Sequence, residues 1–145
     1  MAGEIRRELA YAQGKMIDHS GLGNHLPRGI TPSDIDMVLD NAGQIMFVEV
    51  STRTCDWSAL PTGQRRLYES LVKNSPRQRA VLCHVSSEPG KQIDTHKDVL
   101  SFSVMSFDGV IQVSPPVPGE RWVDYLRKFY GLPVVRIPRE TQPEG

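Results

Sequence analysis

The residues predict a mixed α/β chain, an α+β unit built around one mixed sheet, and three observations carry that expectation. Short segments of period-two hydrophobicity alternate with stretches whose apolar residues recur every three or four positions. The junctions Asn41-Ala42-Gly43-Gln44 and Asp108-Gly109 carry the turn chemistry of hairpins. At 145 residues, 39% hydrophobic and 23% charged, the chain has the size of a single layered unit with its own core. Residues 1–137 are expected to form that domain and 138–145 a flexible tail.

In chain order, Ile5, Leu9, Ala12 and Met16 follow each other at helical steps and predict a helix over 3–16. Residues 18–33, carrying Gly21, Gly23, Pro27, Gly29 and Pro32, read as loop. Asp34–Asp40 and Ile45–Ser51 alternate as two strands of a hairpin whose register can be tested against its own pattern. With a connection of two residues (Ala42-Gly43) or four (Asn41 to Gln44), Leu39 faces Met46, Met37 faces Val48 and Ile35 faces Val50, a wholly apolar side. The other side then pairs Val38 with Phe47, Asp36 with Glu49 and Asp34 with Ser51. A three-residue loop would set Asp36 against Val48 or Val50 and mix the two faces.

Beyond a loop through Trp57 and Pro61, the stripe Leu60, Gln64, Leu67, Tyr68, Leu71 predicts a second helix that stops near Asn74-Ser75-Pro76. Ala80–Val85 reads as a compact buried strand, and the polar stretch 86–97 as loop. Ser101–Phe107 and Val110–Val113 flank Asp108-Gly109, whose tolerance of left-handed backbone suits a tight turn. A last helix is expected from Glu120 to Tyr130, closed by Gly131 with Pro133 just beyond.

Equal numbers of basic and acidic residues, 17 of each, exclude a strongly basic nucleic-acid coat and an acidic disordered chain. No apolar run approaches the ~20 residues of a membrane span, and Glu4, Arg6, Arg7 and Glu8 interrupt the N-terminus. The expectation is therefore a cytoplasmic chain in which Cys55 and Cys83 are free thiols. His19, His25, His84 and His96 show no metal-ligand spacing with either cysteine, which argues against structural zinc. Gly21-Leu22-Gly23 has neither a preceding strand nor a following helix and makes no phosphate cradle. Trp57 and Trp122 read as core anchors. His84 is either a half-buried histidine of its strand or a side chain that reaches a site.

The carboxylates are more informative. Asp36 and Glu49 directly across a ladder would hold like charges about 4.5–5.5 Å apart, which destabilises a sheet unless compensated. A raised pKa, a neighbouring cation or a bound divalent ion would each serve; a hard ion such as Mg²⁺ accepts carboxylates, a carbonyl oxygen and waters. Ordinary surface acids on a solvated face are the alternative. Gln64 lies on the inward stripe of the second helix, and Glu8 on or beside that of the first. A buried polar group without a partner costs about 1–3 kcal/mol. A common site receiving Glu8, Asp36, Glu49 and Gln64 accounts for all four; exposure at a stripe edge accounts for each alone. Over residues 62–79, Arg65, Arg66, Lys73, Arg77 and Arg79 stand against Glu69 alone, either a solvated basic face or a phosphate-contacting one.

Pro32-Ser33-Asp34-Ile35-Asp36-Met37-Val38-Leu39, then Phe47-Val48-Glu49-Val50-Ser51-Thr52-Arg53, then Gln64 and Tyr68 four apart, together resemble the PD-(D/E)XK nuclease superfamily, in particular its RecB-type and Holliday-junction-resolvase-like members, over about residues 4–85. The resemblance implies a restriction-endonuclease-like core of helix, β-hairpin, helix and strand, followed by a C-terminal hairpin and helix. It implies a metal-dependent DNA nuclease hydrolysing phosphodiester bonds. Asp36, Glu49 and the Val50 carbonyl would hold Mg²⁺ or Mn²⁺, and Asp36, Glu49, Ser51, Gln64 and Glu8 (or Glu4) would form the catalytic set. Arg53, Arg65, Arg66, Tyr68 and Lys73 would contact duplex, branched or single-stranded DNA. A homodimer or a protein partner is compatible with it.

One departure matters. Ser51 occupies the position where the family carries lysine, the residue that would help deprotonate water and stabilise charge on the phosphate. Arg53 can supply charge but not act as a base; a metal alone can activate water; or catalysis is lost and the fold survives as a module binding DNA or a protein.

Overall fold

The computed structural model describes His25 and residues 35–133. The expected helix over 3–16 with Glu4 and Glu8, the rest of the loop over 18–33, and the tail from Pro138 lie outside the described residues. Among those described, six strands form one mixed open sheet accompanied by two helices, an α+β arrangement.

Strands β1 (Met37–Asn41) and β2 (Gln44–Ser51) form the antiparallel hairpin. Its connection is the two-residue Ala42-Gly43, with φ of 52° and 86°. Two successive left-handed residues make the hairpin turn whose twist matches the strands, and the Asp40 carboxylate accepts from the Gly43 N–H at 3.0 Å. Met37 pairs with Val48, Val38 with Phe47 and Leu39 with Met46, the register the apolar pattern requires.

The pattern fails at its outer end. The strand begins at Met37 and not at Asp34, so the expected cross-strand pairs of Ile35 with Val50 and Asp36 with Glu49 are absent from the ladder. The chain bends at Asp36, and Val50 N–H donates to Asp36 Oδ2 at 2.8 Å, a side-chain oxygen replacing a ladder carbonyl. Because side chains alternate every residue, one bend changes the face. Ile35 packs on the cluster around Phe47, Trp57 and Tyr68 instead of joining Met37 and Leu39.

From β2 the chain passes through a short 3-10 turn, Trp57–Ala59, into α1 (Thr62–Lys73), then returns as β3 (Gln78–Val85), parallel to β2. Asp56 caps the 3-10 turn by accepting from the Ser58 N–H at 2.9 Å. The polar stretch 86–98 is held by Asp94, whose carboxylate takes the backbone N–H groups of His96 and Lys97 and is thereby kept below the usual carboxylate range.

Strand β4 (Val99–Phe107) runs antiparallel to β3 and starts two residues before the expected Ser101. Its outer edge carries both β5 (Ile111–Val113) and β6 (Val117–Pro118). No periodicity announces β6, two residues in a proline-rich stretch. Helix α2 (Trp122–Phe129) follows a 3-10 turn at Gly119–Arg121, and Gly131 closes it at φ 68° as its sequence position implied.

The sheet separates two apolar clusters. Tyr68 and Val72 of α1 cover Phe47, Ala80, Leu82 and Met105 on one side; Trp122 of α2 covers Met46, Val48, Val81 and Phe102 on the other. Both tryptophans are core residues. No helix among the described residues is long and apolar enough to cross a membrane.

Candidate functional site

Parallel pairing places Glu49 beside Leu82 and Ser51 beside His84, and β4 continues these rows with Ser103 and Ser101. Phe47, Glu49 and Ser51 alternate onto the α1 side of the sheet. The polar end of that face is therefore Glu49, Ser51, His84 and Ser101.

Glu49 is only 7% exposed. Gln64 Nε2 donates to its Oε1 at 2.7 Å, and the Tyr68 hydroxyl donates to its Oε2 at 2.5 Å. Gln64 and Tyr68 are one helical turn apart on the inward face of α1, which is why both reach one carboxylate. The inward glutamine is thus explained: it satisfies a buried charge, and the charge satisfies it. Burial and the adjoining carboxylate of Glu49 push the Tyr68 hydroxyl well above its ordinary value, so the phenol remains protonated and donates. Asp36 adds to that shift, which places its charge within electrostatic reach of the Glu49–Tyr68 pair.

Asp36 and Glu49 do not form a cross-strand pair; Asp36 instead accepts from the N–H of Val50, the residue after Glu49. Asp36 is exposed and anchored on the Val50 N–H. The N–H and carbonyl of one strand residue point to the same edge, so the Val50 carbonyl points to the edge where Asp36 sits and where the ladder with β1 has ended. The donors are all oxygen, the set preferred by Mg²⁺ or Mn²⁺ over zinc. Among the described residues no group of three or more His, Cys, Asp or Glu side chains is arranged to hold a metal. Asp36, Glu49 and the Val50 carbonyl offer oxygen donors only, and Glu8 lies outside the described residues.

Ser51 does something other than lysine's work. Its Oγ accepts from the backbone N–H groups of Arg53 and Thr54, at 3.1 and 3.2 Å, and so fixes the turn that ends β2. His84, half-buried, stands next to it in register.

The basic residues are not gathered around this site. Arg65 is paired with Glu69 at 3.4 Å. At 100° per residue, Arg66 and Lys73 fall on the side of α1 opposite Tyr68, and both are exposed. Arg53 is exposed just past the end of β2. Tyr68 must be corrected as a nucleic-acid contact: it is 0% exposed, packed edge-on against Trp57 with ring centroids 5.4 Å apart, and its hydroxyl is spent on Glu49.

Cys55, with no histidine near it in sequence, is brought over the same sheet end. Its thiol donates to the Leu82 carbonyl at 3.7 Å. Only the register of β3 against β4 reveals that meeting. Burial raises the Cys55 thiol above its ordinary value and pushes Cys83 up to about 12, so both are thiols at neutral pH and neither is an activated nucleophile.

No protein-family model, curated protein or solved structure matches the chain.

Proposed function

We propose that the protein is a metal-dependent deoxyribonuclease with a restriction-endonuclease-like core. One observation carries the reading: a buried glutamate at the end of β2, clamped by a glutamine and a tyrosine four residues apart, with an aspartate anchored on the next residue's backbone. Burying a carboxylate costs several kcal/mol unless it is fully partnered, and a site for a divalent cation is a physical reason to hold one there. Asp36, Glu49 and the Val50 carbonyl are the residues that would hold Mg²⁺ or Mn²⁺, with Glu8 as a further acid. Bound there, such an ion supplies Lewis-acid polarisation of a phosphoryl oxygen and a water of lowered pKa.

The chain's own groups orient. Gln64 and Tyr68 fix the Glu49 carboxylate, Ser51 fixes the turn, and Arg53 is the nearest cation along the chain for charge developing on phosphate. The test is incubation with single-stranded, duplex and branched DNA in Mg²⁺ or Mn²⁺. Cleavage is expected, and its loss in Asp36→Ala and Glu49→Gln; cleavage that survives both substitutions overturns the assignment.

The use of Ser51 as a backbone cap, with no lysine in its place, favours a second reading: a non-catalytic module that binds DNA or a protein partner. Calorimetric titration separates the two. Absence of Mn²⁺ binding with DNA binding intact supports the module.

A further inference from the structure

Ser51 is the last residue of β2, and its Oγ is committed to the Arg53 and Thr54 N–H groups. The residue beside it in the sheet is His84, the last but one of β3. Side chains alternate along a strand. Ala80 and Leu82 belong to the cluster under α1, whereas Val81, Cys83 and Val85 belong to the cluster under α2. His84 is therefore in phase with Ala80 and Leu82, on the side of the sheet that carries Glu49. Neighbouring strands lie about 4.8 Å apart, so His84 is rooted about 5 Å sideways from Ser51 and about 7–8 Å diagonally from Glu49.

Two further features single out this position. Strands β2 and β3 run parallel and both end at this row, and open sheets bind ligands in the crevice beyond the carboxyl ends of such strands. The ladder between β3 and β4 also breaks here. His84 pairs with Ser101 but Val85 with Val99, which leaves Leu100 as an extra residue of β4. A bulge bends its strand and recurs next to functional sites, where it re-aims a side chain or ends the pairing. His84 is half-buried between the buried Cys83 and Val85, so its ring stands where the core opens to solvent. Cys55 shares this end of the sheet, but its thiol donates to the Leu82 carbonyl.

We infer that His84 contacts the phosphate of a DNA strand bound over this site, in the place where the family that the sequence resembles extends a lysine and Ser51 does not reach. The inference rests on the reading of the Glu49 site as one that receives a phosphodiester. An imidazole donates at least one N–H whether neutral or protonated, so the contact requires no charge on the ring. The periodicity of β3 leaves His84 indistinguishable from a packing histidine; its register beside Ser51 and the bulge next to it separate the two roles.

The full chain is titrated with a short DNA duplex in Ca²⁺ while the His84 ring resonances are followed by NMR in the unsubstituted protein. A shift that saturates together with DNA binding is expected. His84→Ala is expected to weaken duplex binding about three- to tenfold, the worth of one hydrogen bond, and to slow cleavage in Mn²⁺ by about tenfold or more. His84→Gln keeps an N–H donor and should stay closer to the wild type. Adding Ser51→Lys to His84→Ala should restore the lost cleavage, a rescue that a purely structural role for the ring does not provide. Ring signals that stay still at DNA saturation, or binding and cleavage unchanged in His84→Ala, overturn the inference and leave the nuclease reading standing. A wild type that binds the duplex and cleaves no DNA removes the nuclease reading; the ring shift and the affinity loss then decide for or against the His84 contact by themselves. A chain that neither binds nor cleaves DNA overturns both.

Discussion

The Tyr68 hydroxyl donates to Glu49 Oε2 at 2.5 Å beneath α1, and this bond joins the helix to the buried acid of β2. Tyr68→Phe keeps the ring against Trp57 but leaves the carboxylate short of a donor. The expected loss is about 1–3 kcal/mol or more, because the orphaned partner is charged, read from the urea midpoint. The same substitution changes the pH profile. The folded-state pKa of Tyr68 lies above its ordinary value of 10, so its contribution to stability is complete below about pH 10 and is lost as pH rises toward the folded value. The wild type should therefore lose more stability above pH 10 than the phenylalanine variant does.

Ser51→Lys introduces the lysine carried by the nuclease family that this sequence resembles and removes an acceptor for two backbone N–H groups. Stability is expected to fall by about 1 kcal/mol, and DNA cleavage in Mn²⁺ to appear or rise. An unchanged cleavage rate would remove position 51 from the account of activity.

Gly119 sits where β6 turns against β4. A Cβ built on it would lie 1.8 Å from the Val99 carbonyl oxygen, a backbone atom that cannot yield without moving the strand. Gly119→Ala should therefore cost about 3 kcal/mol or more and lower the thermal midpoint.

Ala42 occupies left-handed backbone at φ 52°, followed by Gly43 at 86°. Asparagine tolerates that conformation better than alanine and is preferred before glycine in this turn. Ala42→Asn should raise stability by about 0.5–1 kcal/mol, measured by the shift in urea midpoint with the slope unchanged.

Most of the local structure was written in short-range patterning. The apolar alternation of Met37, Leu39, Met46 and Val48 admitted one register, because a slip of one residue would turn every side chain to the wrong face. Gly131 and Pro133 marked the end of α2, and Gln64 stood out as a polar residue on a buried stripe. The stripe did not say which group it would meet; the packing of α1 on β2 sets its hydrogen bond to Glu49.

Other features depended on contacts that no local pattern encodes. Asp36 left the ladder because its own carboxylate could take the Val50 N–H, and that bend moved Ile35 to the other face. Strand β6 exists because β4 offers an unpaired edge, not because Val117-Pro118 favours extension. The convergence of Cys55, His84 and Ser101, and of Arg77 and Arg79 with Arg121 and Lys128, arises from residues far apart in the chain brought together by strand order. The neutral total charge shows the same division. Composition yields only the sum of 17 and 17, while folding places Glu49 at the end of β2 on one side of the sheet and gathers Arg79, Arg121 and Lys128 on the other. Periodicity reports which side of its own element a residue faces; which neighbours it meets there depends on the packing of the whole sheet.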